Sequence, residues 1–146
     1  MSKIEKAQLS LKENNFKRLG KLSCIIASVL TIVIGISHFF VPFIFPWESF
    51  IKELYPPIKW ALFAMNYFFS LLLLLGGILT LVAEFKWGMV KGIRKCILGG
   101  MGLFWLAGSI YEVIYPFPIM EARWVLPGVA LVIFSLYGIS LISIKK

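Results

Sequence analysis

Apolar residues gather into four stretches, Leu22–Val41, Trp60–Ala83, Cys96–Tyr115 and Val125–Ile144, divided by segments richer in charge and proline. Each runs about 20 residues, enough to cross a hydrocarbon core of about 30 Å at a rise of 1.5 Å per residue. Four membrane-spanning helices are predicted. Lipid tails are as apolar as leucine, so such helices associate through close packing and polar contacts, and small or polar residues should mark their protein-facing sides. Span one repeats Cys24, Ser28, Thr31, Gly35 and His38 at steps of three and four, and span two repeats Asn66, Ser70, Leu73, Gly77, Thr80 and Glu84. Span three gives Gly102, Trp105, Ser109 and Glu112, and span four gives Gly128, Leu131, Ser135, Gly138 and Ile142. That spacing is the seam of a left-handed bundle, and short connections make sequential neighbours antiparallel. The expected fold is all-α: a polytopic membrane protein built as an antiparallel four-helix transmembrane bundle.

Outside the spans the pattern changes. Trp47, Phe50, Ile51 and Leu54 recur at i, i+3, i+4 and i+7 in the first connection, between Pro46 and Pro56–Pro57. This predicts a short amphipathic helix on the membrane surface, either an interfacial element or a lid over the bundle mouth. Residues 1–21 form an arm with a weak apolar stripe of Ile4, Ala7 and Leu11, read as an amphipathic helix along the inner leaflet or as disorder. Residues 22–144 form the bundle and 145–146 a short tail. The first apolar run follows a long polar arm and lacks a small-residue exit, so it reads as a retained anchor rather than a signal peptide.

Charge orients the spans. Of the fifteen basic residues, twelve lie in the arm, the second connection and the tail, leaving Lys52, Lys59 and Arg123 on the other side. Positive charge stays cytoplasmic, which places both termini inside and the first and third connections outside, in a plasma membrane of bacterial type. The net charge of +8 is then explained by orientation and anionic lipid rather than by nucleic acid. All seven prolines lie on the outer side or its boundary, and none is read as interrupting a span; with many aromatic residues they predict ordered, ring-rich outer connections.

Candidate chemistry is sparse. His38, Asn66 and Glu112 sit on stripe positions toward the outer side, and an ionisable group in a span should face the interior and find a partner. Glu112 with His38 is the expected pair, with Asn66 or Ser109 completing it, and Trp60, Trp105 and Tyr111 lining an outward pocket for a small polar ligand or a proton. The plainer reading is a hydrated or stapling pair. Glu84 is read as a solvated partner of Lys86. One His with no Asp cannot supply a usual metal set, and no nucleotide, P-loop or nucleophile motif occurs, so no metal, cofactor or catalytic residue is expected. Cys24 and Cys96 form no C-x-x-C and read as packing residues. No motif ties the chain to one family. The functional expectation is a non-enzymatic accessory or binding protein whose outer aromatic surface docks a lipid or a protein. A small transporter using the His/Glu/Asn pocket is the alternative, and an acid–base enzyme on a lipid-like substrate the second.

Overall fold

The computed structural model describes residues 3–86, 90–117, 120 and 123–144, with the side chains of Lys3 and Phe50 excepted. Gly88 of the tight inner turn, Pro118 and Glu121 of the outer connection, and the Lys145–Lys146 tail lie outside the described residues. Five helices follow in order: α1 (Lys3–Ile44), α2 (Trp47–Phe50), α3 (Pro56–Phe85), α4 (Lys91–Ile114) and α5 (Val125–Ser143). Four of them are long and apolar enough to cross a membrane, so this is an all-α, multi-pass membrane protein. α3 opens on Pro56–Pro57, whose fixed φ and missing N–H suit a first turn. The arm is not a separate element, because α1 runs unbroken from Lys3 through the first span.

Packing order around the bundle is α3–α1–α5–α4, and α3 and α4 touch least. Contacts fix the directions. A Cβ at Gly20 would meet Ser143, and one at Gly35 the backbone at Leu74. The Thr31 hydroxyl lies 3.2 Å from Tyr137 OH. Ser109 Oγ donates to the Pro127 carbonyl at 3.1 Å, and Gly102 packs on Tyr137. Glu84 pairs with Arg94. Low numbers meet high ones at every interface, so each helix is antiparallel to both neighbours, and α1 and α4 stand diagonally opposed.

The stripes on α1, α3 and α4 face inward as expected, with Cys24, Ser28, Thr31, Gly35, Ser70, Leu73, Gly77, Thr80, Gly102, Trp105 and Ser109 all buried. That on α5 does not. Ile142 is 71% exposed and Leu131 49%, and the buried face is Pro127, Ala130, Ile133, Tyr137, Ser140 and Ser143. Ser135 misled the pattern because its hydroxyl bonds the Leu131 carbonyl of its own helix at 2.8 Å, so it tolerates lipid without a neighbour. Gly138 likewise has open space where a Cβ would stand.

The surface helix is one turn long, shorter than the stripe to Leu54 implied. After Phe50 the chain closes a turn, with Leu54 N–H on the Ile51 carbonyl at 3.1 Å.

Candidate functional site

Two polar layers and one cavity account for the unusual residues. The first layer is central. Trp105 Nε1 donates to Thr31 Oγ1 at 3.1 Å, Thr31 and Thr80 each lie 3.2 Å from Tyr137 OH, and Ser28 Oγ lies 2.8 Å from Thr80 Oγ1. Residues of α1, α3, α4 and α5 thus share one buried network. Thr31 also donates to Ala27 O, and Ser28 to Cys24 O, each at 2.8 Å. The hydroxyls of Ser28, Thr31, Thr80 and Tyr137 each have a partner, as a dry interior requires. Trp105 is therefore a strut of the bundle centre and not a wall of an outer pocket.

The second layer is at the basic end. Glu84 does not form a solvated pair with Lys86. Its side chain is 4% exposed and its carboxylate accepts from the Arg94 guanidinium of α4. The short connection between α3 and α4 brings the two together, and α4 supplies Arg94 one turn inside its start.

Toward the opposite end, α1 carries Pro42 within its last turn. The span predicted to end at Val41 continues to Ile44, so this proline falls inside the helix. Proline has no N–H to give the carbonyl four residues earlier, which here is that of His38. Asn66 Nδ2 of α3 donates to that carbonyl at 2.9 Å. A proline that frees a backbone acceptor inside a membrane helix needs a neighbour to satisfy it. Asn66 is that neighbour, which explains an amide at this depth without a ligand. The signal in the sequence is Pro42, which frees the His38 carbonyl once α1 continues past it, but which residue answers that carbonyl depends on which helices are neighbours.

His38 itself faces a cavity of about 690 Å³. Ile34, His38 and Val41 form its α1 wall, Leu62 and Leu126 its α3 and α5 walls, and Phe45, Trp47, Ile51 and Phe117 cover the end. Trp47 of α2 is held edge-on against Phe63 at 5.7 Å between centroids, and the His38 ring stands edge-on to Phe69 at 4.9 Å. Ser37 also lines the cavity, but its hydroxyl is used on Val33 O at 2.9 Å. Among the described residues the imidazole is the one titratable group in the lining, and its ring nitrogens make no hydrogen bond there. The α1 wall was readable as a stripe. The rest depends on how two connections fold back, which no local spacing encodes.

The other predicted site residues scatter. Glu112 is half-buried on α4, and among the described residues no hydrogen bond or ion pair joins it to His38, which lies across the diagonal. Tyr111 is 61% exposed and stacks on Tyr115 at 5.3 Å. Ser109 is used on Pro127. Trp60, 72% exposed, lies on the outer flank of α3 beside a groove. Of the seven residues expected to build one pocket, only His38 lines the cavity. Asn66 supports it, and the pair Glu112–His38 is not formed. Among the described residues no cluster of metal-ligating side chains occurs. The chain shows no match to protein-family models, to curated proteins or to solved structures.

Proposed function

We propose that this chain is a non-enzymatic lipid-binding membrane protein. It holds the apolar part of a membrane amphiphile in the cavity beneath α2 and meets the polar part with His38. The observation that carries this is the cavity itself, about 690 Å³ and walled by aliphatic and aromatic side chains around one imidazole. Its size falls within the roughly 300–1,000 Å³ of small-molecule sites, and a few polar groups among apolar walls is their usual composition. A neutral imidazole both donates and accepts, so it suits an ester carbonyl, a hydroxyl or a phosphate oxygen. Coupled transport and acid–base catalysis gain nothing from this arrangement, because Glu112 stands apart from His38.

The split of basic residues supports an orientation with both termini cytoplasmic and the cavity end outside, in a bacterial plasma membrane. A protein partner docked on the outer aromatic rim is the competing occupant, and nucleic acid has no place in this reading. The test is purification in mild detergent, followed by mass spectrometry of what is retained. Wild type should keep lipid at a fixed ratio to protein, and Ile34→Trp and Leu126→Trp, which fill the cavity, should lose it. Equal retention in all three forms, or a protein held in place of lipid, would reject the assignment.

A further inference from the structure

We infer that the cavity is loaded sideways from the bilayer, through a groove on α3 that Trp47 closes, and that the occupant is an acyl chain of a phospholipid. This rests on the lipid-binding reading above and adds the ligand's class and its route. The groove is a second apolar hollow of about 680 Å³ on the outer flank of α3, where Trp60, Met65 and Phe68 are exposed. In a chain that spans the membrane that flank faces lipid tails, so an acyl chain already lies along it.

Groove and cavity adjoin. Trp47 and Leu62 line both, one on each face of a common partition. Deeper in, Phe69 of the groove touches the His38 ring of the cavity, and Asn66 of the groove bonds the His38 carbonyl. The deep part of the partition is therefore tied by a hydrogen bond to α1. The shallow part is one indole on a four-residue helix, with a single ring contact to Phe63. A partition fixed at its base and carried at its rim by a one-turn helix has its movable part at Trp47. Swinging that indole off Phe63 joins the two hollows while the packing of α1, α3, α4 and α5 on one another stays intact. A free, water-borne ligand would need no such groove, because the cavity has its own end under Phe45 and Phe117.

The probe is phosphatidylglycerol carrying a photoactivatable diazirine near the end of one acyl chain, incorporated in phosphatidylcholine vesicles that hold the purified protein. Adducts are mapped by peptide mass spectrometry over a time course. Wild type should label first at Met65 in the groove and later at Ile34 or Val41 in the cavity. Trp47→Ala should raise the rate of cavity labelling several-fold relative to labelling at Met65. Ala64→Trp, which fills the groove and leaves the cavity lining intact, should slow cavity labelling by about tenfold, as blocking an entry path does. Because the two variants move the rate in opposite directions, misfolding of one cannot imitate the pair. Cavity labelling at the wild-type rate in both variants would overturn the lateral route and leave lipid binding standing. No cavity adduct in any form, wild type included, would overturn the lipid-binding reading itself.

Discussion

Glu84 and Glu112 hold comparable places, each near one end of a span on a stripe that faces the bundle, yet the protein treats them differently. Glu84 is buried against Arg94, and the central network above it ties all four long helices by hydrogen bonds. Glu112 is half-buried and unpaired among the described residues, at the end where the bundle hollows into a cavity. The difference lies in the connections. A short link between α3 and α4 delivers a guanidinium to Glu84, whereas the first and third connections deliver rings. One end is closed by charge and the other is covered by aromatic side chains over space. A carboxylate at stripe spacing is therefore not by itself a site, and what arrives opposite it decides.

Breaking the closed end should have the largest effect. Arg94→Met leaves the buried Glu84 carboxylate without its partner, a loss of about 3–5 kcal/mol. The check is an SDS-titration unfolding series in mixed micelles, and a midpoint equal to wild type would show that the pair is not holding α3 to α4.

The α1–α3 contact comes next. A Cβ at Gly35 would stand 2.8 Å from Leu74 N, and one at Gly77 2.6 Å from Ile32 Cγ1 and 3.0 Å from Ser28 O. Gly35→Ala and Gly77→Ala should each cost about 1–3 kcal/mol, since backbone on the facing helix cannot yield. Gly138→Ala should be neutral or gain up to about 1 kcal/mol of helix propensity, because nothing faces that position. Equal losses at all three would mean that α5 packs through the stripe containing Gly138 after all.

At the hollow end, Asn66→Leu should cost about 1–3 kcal/mol by stranding the His38 carbonyl. Pro42→Ala restores an intrahelical N–H to that carbonyl, so the same Asn66→Leu change should cost at least about 0.5 kcal/mol less in the alanine background. Additive losses in that cycle would detach Asn66 from Pro42.

The smallest effect is expected at Glu112. Glu112→Gln and His38→Ala should combine additively, within about 0.3–0.5 kcal/mol, as for groups that share no contact. Coupling beyond that would restore the pair that stripe spacing suggested.

What could be read from the chain follows from how local each cause is. Spans and inward faces of α1, α3 and α4 were legible because small residues there are needed for close approach and stand out from a branched aliphatic background. The α5 face was not, because Ser135 and Gly138 are small without being packed, while the inward residue of most consequence, Tyr137, is large. Asn66 and His38 were legible as unusual but not in their roles. Neither the Asn66-to-carbonyl bond nor the cavity can be seen without knowing which helices are neighbours and where Trp47 folds back. Glu84 was misread because its partner lies across a connection.

The unbroken length of α1 changes how its charges should be weighed. At 1.5 Å per residue, Lys12 lies about 15 Å and Lys6 about 24 Å along the helix from Leu22, where the apolar stretch begins. Salt screens exposed charge beyond roughly 8 Å under physiological conditions. Only Lys17, Arg18 and Lys21 fall close enough to Leu22 to feel a lipid surface there. The outer half of the arm is electrically a soluble helix, and changing its lysines should leave the membrane orientation untouched while changing what that helix attracts from solution.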